Sequence, residues 1–216
     1  MLDLSTRSLY LCVGLRPDIT TFLPAVLRGG VDVVQLRDKD HSVERQRAQG
    51  EVMATICRSF NVPFIVNDSP WLARDLGADG VHVGQQDVSV ATCREILGDD
   101  AVVGLSTHSP TELNDALDQP CTYLSAGPLV PTPTKPGRPG TGLAYAVAAQ
   151  SRSLRPVFVT GGVDESNVAD LIRAGLRHFV VVRALTEARD PEGSARQLRR
   201  AMDDALSDGG RATRAE

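Results

Sequence analysis

Gln35, Arg37 and Lys39 alternate along one short segment, Gln35-Leu-Arg37-Asp-Lys39, directly after an apolar run. Residues two apart on a strand point the same way, so these side chains line one inward face. An arginine fork beside a lysine point charge suits an anion with several oxygens. A solvated charge run at a helix entrance is the plainer alternative. Composition bears on the choice: of 23 basic residues only Lys39 and Lys135 are lysine, and both fall in loops after apolar runs. Positions that keep an ammonium against a drift to arginine are positions where a compact cation has work to do. Asn67-Asp68-Ser69-Pro70 and Gly84-Gln85-Gln86-Asp87 follow two further apolar runs. Asp68, Ser69 or Asp87 could each cap a following helix. On neighbouring strand ends, however, the carboxylates of Asp68 and Asp87 would share one mouth. Facing a basic cluster, such a pair suits a hard divalent cation, Mg2+ best of all, with a polyphosphate between.

Further along, Ser106-Thr-His108-Ser109-Pro110 sets a histidine among hydroxyls, but neither a GxSxG elbow nor a placed acid accompanies it. Ser109 reads as a helix cap, and Ser106 is left as a hydrogen-bond donor to an anion. The stretch from Gly127 to Gly142 is rich in Pro and Gly and longer than a compact domain needs. It reads as a lid or binding loop in which Thr132, Thr134 and Lys135 close over a ligand, a tolerated insertion being the alternative. Thr160-Gly161-Gly162-Val163 and Val182-Arg183-Ala184 follow the last two runs. Backbone N–H groups near a helix start, with a double glycine permitting close approach, make a phosphate site. His82 should point inward as a core or supporting histidine, while His41 and His178 fit no pattern.

The elements that must position these residues are legible as a repeat. Apolar runs recur at Leu9–Val13, Val31–Leu36, Pro63–Val66, Gly80–Val83, Ala101–Leu105, Thr122–Ala126, Pro156–Val159 and Phe179–Val182. They are aliphatic on both faces, as strands covered on both sides should be. Helical spacing lies between them, at Ile19–Leu27, Val43–Arg58, Val90–Leu97, Thr111–Leu117, Leu143–Leu154 and Ser166–Ala174. The spacing leaves about 27 residues per unit, enough for one strand and one helix. Segments beginning at Gly30, Gly77 and Gly175 share one layout, a helix-ending glycine followed at once by a strand. Eight such units predict a single (β/α)8 barrel over residues 1–206, with an open doubly wound sheet as the alternative. The polar tail 207–216 is expected to fray.

The formal charge of −4 and nine aromatic residues exclude an obvious nucleic-acid or base-stacking surface. A hydrophobic content of 42% excludes wholesale disorder. No apolar stretch approaches a membrane span, and the first residues lack the pattern of a secretion leader. Cys12, Cys57, Cys93 and Cys121 form no CxxC pair and are expected as reduced thiols in a cytoplasmic protein. Self-association is left open.

Together, QLRDK, VNDSPWLARDLGADGVHVGQQD, GLSTHS, GPLVPTPTKPGRPGTGL, TGGV and VVVRALTEA resemble the thiamine-phosphate synthase family from about Leu9 to Pro191. That resemblance implies a (β/α)8 barrel transferase using one Mg2+ per site. It would join 4-amino-2-methyl-5-hydroxymethylpyrimidine diphosphate to 4-methyl-5-(2-phosphoethyl)thiazole, or to its carboxylated form. The products would be thiamine monophosphate and pyrophosphate. By position, Gln35, Arg37, Lys39, Asn67, Ser106 and Lys135 match the pyrimidine diphosphate site, and Asp68 and Asp87 match the metal ligands. Thr132, Thr134, Gly162, Val182 and Arg183 match the thiazole phosphate site. The implied chemistry is dissociative: Mg2+, Arg37, Lys39, Ser106 and Lys135 stabilise charge as the C–O bond breaks, and no protein nucleophile is needed. A thiazole tautomerase-like barrel and a catalytically idle thiamine-phosphate-binding relative are the alternatives.

Overall fold

The computed structural model describes residues 2–132 and 139–212. Eight parallel strands close on themselves in sequence order: β1 (Leu9–Val13), β2 (Val33–Leu36), β3 (Phe64–Asn67), β4 (Gly80–Val83), β5 (Val102–Thr107), β6 (Tyr123–Ala126), β7 (Val157–Thr160) and β8 (His178–Val181). Pairing of β1 with β8 completes the ring, so the barrel holds and the open sheet does not. Outside the ring lie α1 (Ile19–Arg28), α2 (Val43–Ser59), α3 (Pro70–Asp75), α4 (Val90–Leu97), α5 (Pro110–Leu117), α6 (Gly142–Arg152), α7 (Val168–Arg173), α8 (Arg183–Thr186) and α9 (Pro191–Ala212).

Local chemistry explains the boundaries. Ser42, Ser69, Ser89 and Ser109 each accept a hydrogen bond from the backbone N–H three residues on, which starts α2, α3, α4 and α5. Asp68 and Asp87 are therefore not the caps of α3 and α4. Strand β2 begins two residues into its apolar run, because the Val31 N–H bonds back to the Val26 carbonyl in the end of α1. Helix α9 continues through residues 207–212 of the polar tail, and 213–216 lie outside the described residues. Its buried Ala195, Leu198, Met202 and Ala205 anchor the earlier turns, and extending a formed helix costs little.

The core has two layers. One lies between strands and helices; the other fills the barrel with Tyr10, Cys12, Val33, Ile65, Val102, Tyr123, Phe158 and Val180, while Leu4 packs against them. Strand register places Asn67 beside His82, His82 beside Gly104, and Gly104 beside Tyr123. A side chain at Gly104 would overlap Tyr123 and His82, so glycine there makes room for two large polar rings. Gly80 plays the same part against the Val102 carbonyl, which is backbone and cannot yield.

The last helix ties the first elements together. Arg199 of α9 donates to Ser8 Oγ (2.6 Å), to Asp32 Oδ2 (2.6 Å) and to the Gly30 carbonyl (3.2 Å). Asp32 in turn accepts from the Ser8 and Leu9 N–H groups. A Cβ at Gly29 would meet Ala195 and the Glu192 carbonyl, so α1 and α9 pack backbone to backbone.

Two stability predictions follow from this packing. Gly80→Ala should lower the unfolding free energy by about 1–3 kcal/mol through overpacking, read as a shift in urea midpoint. His178 packs tilted against Phe158 with centroids 5.1 Å apart, and its Nδ1 lies 2.6 Å from the Arg7 carbonyl. Burial holds its pKa below the ordinary 6.5, so the folded chain binds this proton less readily than the unfolded one. The stability it contributes is complete above pH 6.5 and is lost as pH falls below that. Urea unfolding between pH 7.5 and 5.5 should show that decline, and His178→Gln should flatten it; an unaltered slope would refute the assignment.

Candidate active site

A cavity of about 1010 Å³ opens over the carboxyl ends of the strands. Its two halves differ in chemistry because neighbouring strands contribute neighbouring loops. Over β2–β5 stand Gln35, Arg37, Lys39, Asn67, Asp68, Asp87 and Ser106; over β6–β8 stand Thr132, Gly162, Val182 and Arg183. Every expected site residue that is described thus lines one cavity. Thr134 and Lys135 lie outside the described residues.

The first half is charged. Lys39 Nζ sits 3.2 Å from Asp68 Oδ2. Burial pushes the Asp68 carboxyl above its ordinary range, Asp87 at hydrogen-bonding reach pushes it further, and Lys39 pulls it back. The Asp87 Oδ2 also accepts from the Gly84 N–H at 2.7 Å, closing the turn after β4. Asp68 has φ +64°, a left-handed conformation that Asp tolerates better than most residues. Its N–H donates to the His82 carbonyl at 2.8 Å, holding the carboxylate out toward the cavity. Among the described residues, neither Arg37 nor Arg183 has an acid within ion-pair distance, so two guanidinium groups face the cavity uncommitted.

A carboxylate raised by burial and by a second carboxylate beside it is a donor set that a divalent cation relieves, and Mg2+ is commonly held by one or two carboxylates plus substrate phosphates. Among the described residues there is no group of three or more acidic, His or Cys side chains suited to a metal. Asp68 and Asp87 therefore fit a cation that shares its shell with substrate, rather than one caged by protein.

The second half is built of backbone. Gly161 and Gly162 have φ +93° and +79°, and side chains there would strike Pro128 and Val130. The β6–α6 loop is zipped at its neck: the Leu129 N–H donates to Thr160 O at 2.8 Å, and the Thr141 N–H to Pro128 O at 2.7 Å. Thr132 is carried from this neck to the cavity wall.

Sequence reasoning missed a buried polar set beneath the cavity: Tyr10, Cys12, Tyr123 and Ser125, joined to Gln35, His82 and Ser106. Its available signal was period two on the strands, which points Tyr10 and Cys12 inward with Gln35. Also missed was Asp38, hidden in a run of charges. Its 6% exposed side chain accepts from the N–H groups of Leu15 (2.9 Å), Asp40 (3.0 Å) and His41 (2.9 Å). Burial alone would raise its pKa, yet these donors hold it below the ordinary value. His108 Nδ1 lies 2.9 Å from Glu112 Oε2 on the first turn of α5.

A (β/α)8 barrel with a polar cavity over its strand ends is an enzyme framework. Residues 9–185 match the family model described as thiamine monophosphate synthase. The thiamine-phosphate synthase of Thermus thermophilus is 48% identical over 174 residues, covering 80% of this chain and 84% of its own. That of Acidothermus cellulolyticus is 43% identical over 201 residues, covering 91% and 95%. The solved thiamine phosphate pyrophosphorylase of Pyrococcus furiosus superposes with a TM-score of 0.83 at 25% identity, over 92% of this chain and 96% of that one. The Salmonella typhimurium 3-hexulose-6-phosphate synthase, with TM-score 0.70 and 19% identity, shares the fold alone. The chain belongs to the thiamine monophosphate synthase family, whose members are transferases. Among the described residues no helix is long and apolar enough to cross a membrane.

Because Asp38 joins the β1–α1 and β2–α2 loops, Asp38→Ala should cost about 1–3 kcal/mol by orphaning the donors it satisfies. Chemical denaturation measures this, and an unshifted midpoint would remove the anchor assignment.

Proposed function

We propose that this chain joins 4-amino-2-methyl-5-hydroxymethylpyrimidine diphosphate to 4-methyl-5-(2-phosphoethyl)thiazole, carboxylated or not, releasing pyrophosphate and thiamine monophosphate. The observation that carries the proposal is the cluster of Lys39, Asp68 and Asp87, flanked by Arg37, facing a glycine-lined half across one cavity. The similarity to thiamine-phosphate synthases over most of the chain supports it.

In this reading Gln35 and Asn67 hold the pyrimidine end through their amides, while Arg37, Lys39, Ser106 and Lys135 grip the diphosphate. The Lys39–Asp68 pair is half-exposed on the lysine side, and such pairs are worth about 0–1 kcal/mol, so Lys39 can turn onto a phosphate at little cost. Asp68 and Asp87 would hold Mg2+, whose contribution is to neutralise charge on the diphosphate. As the C–O bond breaks, its electron pair leaves with pyrophosphate, and the cationic side chains stabilise that developing charge. The aminopyrimidine ring tolerates the methylene cation left behind. Thr132, Thr134, the Gly162 backbone, Val182 and Arg183 hold the thiazole phosphate so that the ring nitrogen captures the cation. In this reading no side chain bonds to the substrate.

The purified chain, given both heterocycles and Mg2+, should form thiamine monophosphate and one pyrophosphate per turnover. Asp87→Ala should lose most of that turnover, and Lys135→Ala about 100-fold of it. Failure to form product with Mg2+ present would reject the proposal, and binding of thiazole phosphate without product would favour an idle relative or a tautomerase. A fully active Lys135→Ala would reject the clamp.

A further inference from the structure

A line of polar side chains runs unbroken across the barrel interior beneath the cavity. The Cys12 thiol donates to Gln35 Oε1 (3.3 Å), and Gln35 Nε2 donates to Tyr10 Oη (2.9 Å). The Tyr10 and Tyr123 hydroxyls are 3.0 Å apart, Tyr123 Oη is 2.9 Å from His82 Nδ1, and His82 Nε2 is 2.8 Å from Ser106 Oγ. Ser125 Oγ donates to the same Ser106 Oγ at 3.3 Å. Gln35, both tyrosines, His82, Ser106 and Ser125 are all at least nine-tenths buried.

Proton counting gives this line a direction. A hydroxyl has one proton to donate, and a neutral imidazole has one N–H and one lone pair. Burial pushes both phenols well above their ordinary pKa, so each keeps its single proton. Gln35 sets the first link, because the amide that takes the thiol proton on oxygen turns its NH2 to Tyr10. Tyr10, accepting from Gln35, donates to Tyr123, and Tyr123 donates to His82 Nδ1. With the imidazole neutral, its one proton then sits on Nε2 and is donated to Ser106. With His82 and Ser125 both donating to its oxygen, Ser106 has one direction left for its own proton: the cavity that it lines.

We propose that Tyr123 and His82 are positioning residues that hold Ser106 as a one-way hydrogen-bond donor to the diphosphate of the substrate. The inference rests on the diphosphate reading given above. Run in reverse, the same line would spend the Ser106 proton on His82 and turn a lone pair toward the anion. Fixing the direction therefore separates attraction from repulsion at the leaving group. It also links the amide at the pyrimidine end to the hydroxyl at the diphosphate end.

The test compares Ser106→Ala, Tyr123→Phe, His82→Leu, His82→Gln and the double variant Tyr123→Phe with Ser106→Ala. Each is assayed for kcat, for KM of both substrates, and for calorimetric binding of inorganic pyrophosphate with Mg2+. Tyr123→Phe and His82→Leu should each lower kcat about 10–100-fold, as supporting partners of a ligand do, and weaken pyrophosphate. The KM for thiazole phosphate should not change. His82→Gln, which restores an N–H near the Nε2 position, should recover most of the loss. In the Ser106→Ala background, Tyr123→Phe should add nothing, because both act through one hydroxyl. Losses that multiply in the double variant would mean a merely structural role and overturn the proposal. Normal turnover in Tyr123→Phe with an impaired Ser106→Ala would overturn the relay and leave the diphosphate reading standing. Normal turnover in Ser106→Ala would remove both the relay and that residue's place in the diphosphate site. Tyr123→Phe keeps the ring in the barrel, so the test survives if His82→Leu does not fold.

Discussion

Two carboxylates held within reach of each other over the barrel mouth define the electrostatics of everything around them. Burial raises the energy of the charged Asp68, and the neighbouring Asp87 adds to the penalty. Folding accepts the arrangement because the backbone fixes it: Asp68 by its left-handed turn and its bond to His82, Asp87 by the turn it closes on Gly84. Lys39 offsets part of the repulsion through a half-exposed contact, which is too weak to neutralise the pair. The site is poised toward positive charge on one side and, through Arg37 and Lys39, toward negative charge on the other. The metal and diphosphate of the proposed reaction would meet both demands at once.

The barrel interior supports that poise by carrying a polar line among its aliphatic and aromatic filling. Glycine at 80 and 104 removes two side chains that would collide with the strand and the rings beside them. The space admits Tyr123 and His82, whose polar atoms are satisfied by one another and by Tyr10 and Ser106. A buried polar network is stable only when its members are paired, and pairing also makes it rigid. The cavity floor is in this way an ordered hydrogen-bond array and not a greasy plug.

Much of this was legible in the sequence because the barrel repeats one rule eight times. Runs that are apolar on both faces name the strands, and the polar residue after each names the mouth. Gln35, Arg37, Lys39, Asp68 and Asp87 could be placed together on that basis alone. Boundaries shifted by a residue or two where capping chemistry decided them, as at Val33, and α9 outran the composition of its last turns. Asp38 stayed hidden because a charged residue among charged residues carries no pattern, and only the fold shows which carboxylate turns inward. The interior network was unreadable for a different reason. Tyr10 and Tyr123 look like core aromatics, and the bonds between them depend on strand register, which a linear pattern does not contain.

The embrace of the first strands by Arg199 bears on how the chain is made. Ser8, Gly30 and Asp32 emerge from a ribosome long before their guanidinium partner, which is separated from Ser8 by 191 positions. Until that helix arrives, the Asp32 carboxylate holds the Ser8 and Leu9 N–H groups without its guanidinium. That early corner of the barrel therefore gains its cation only once residue 199 has been added.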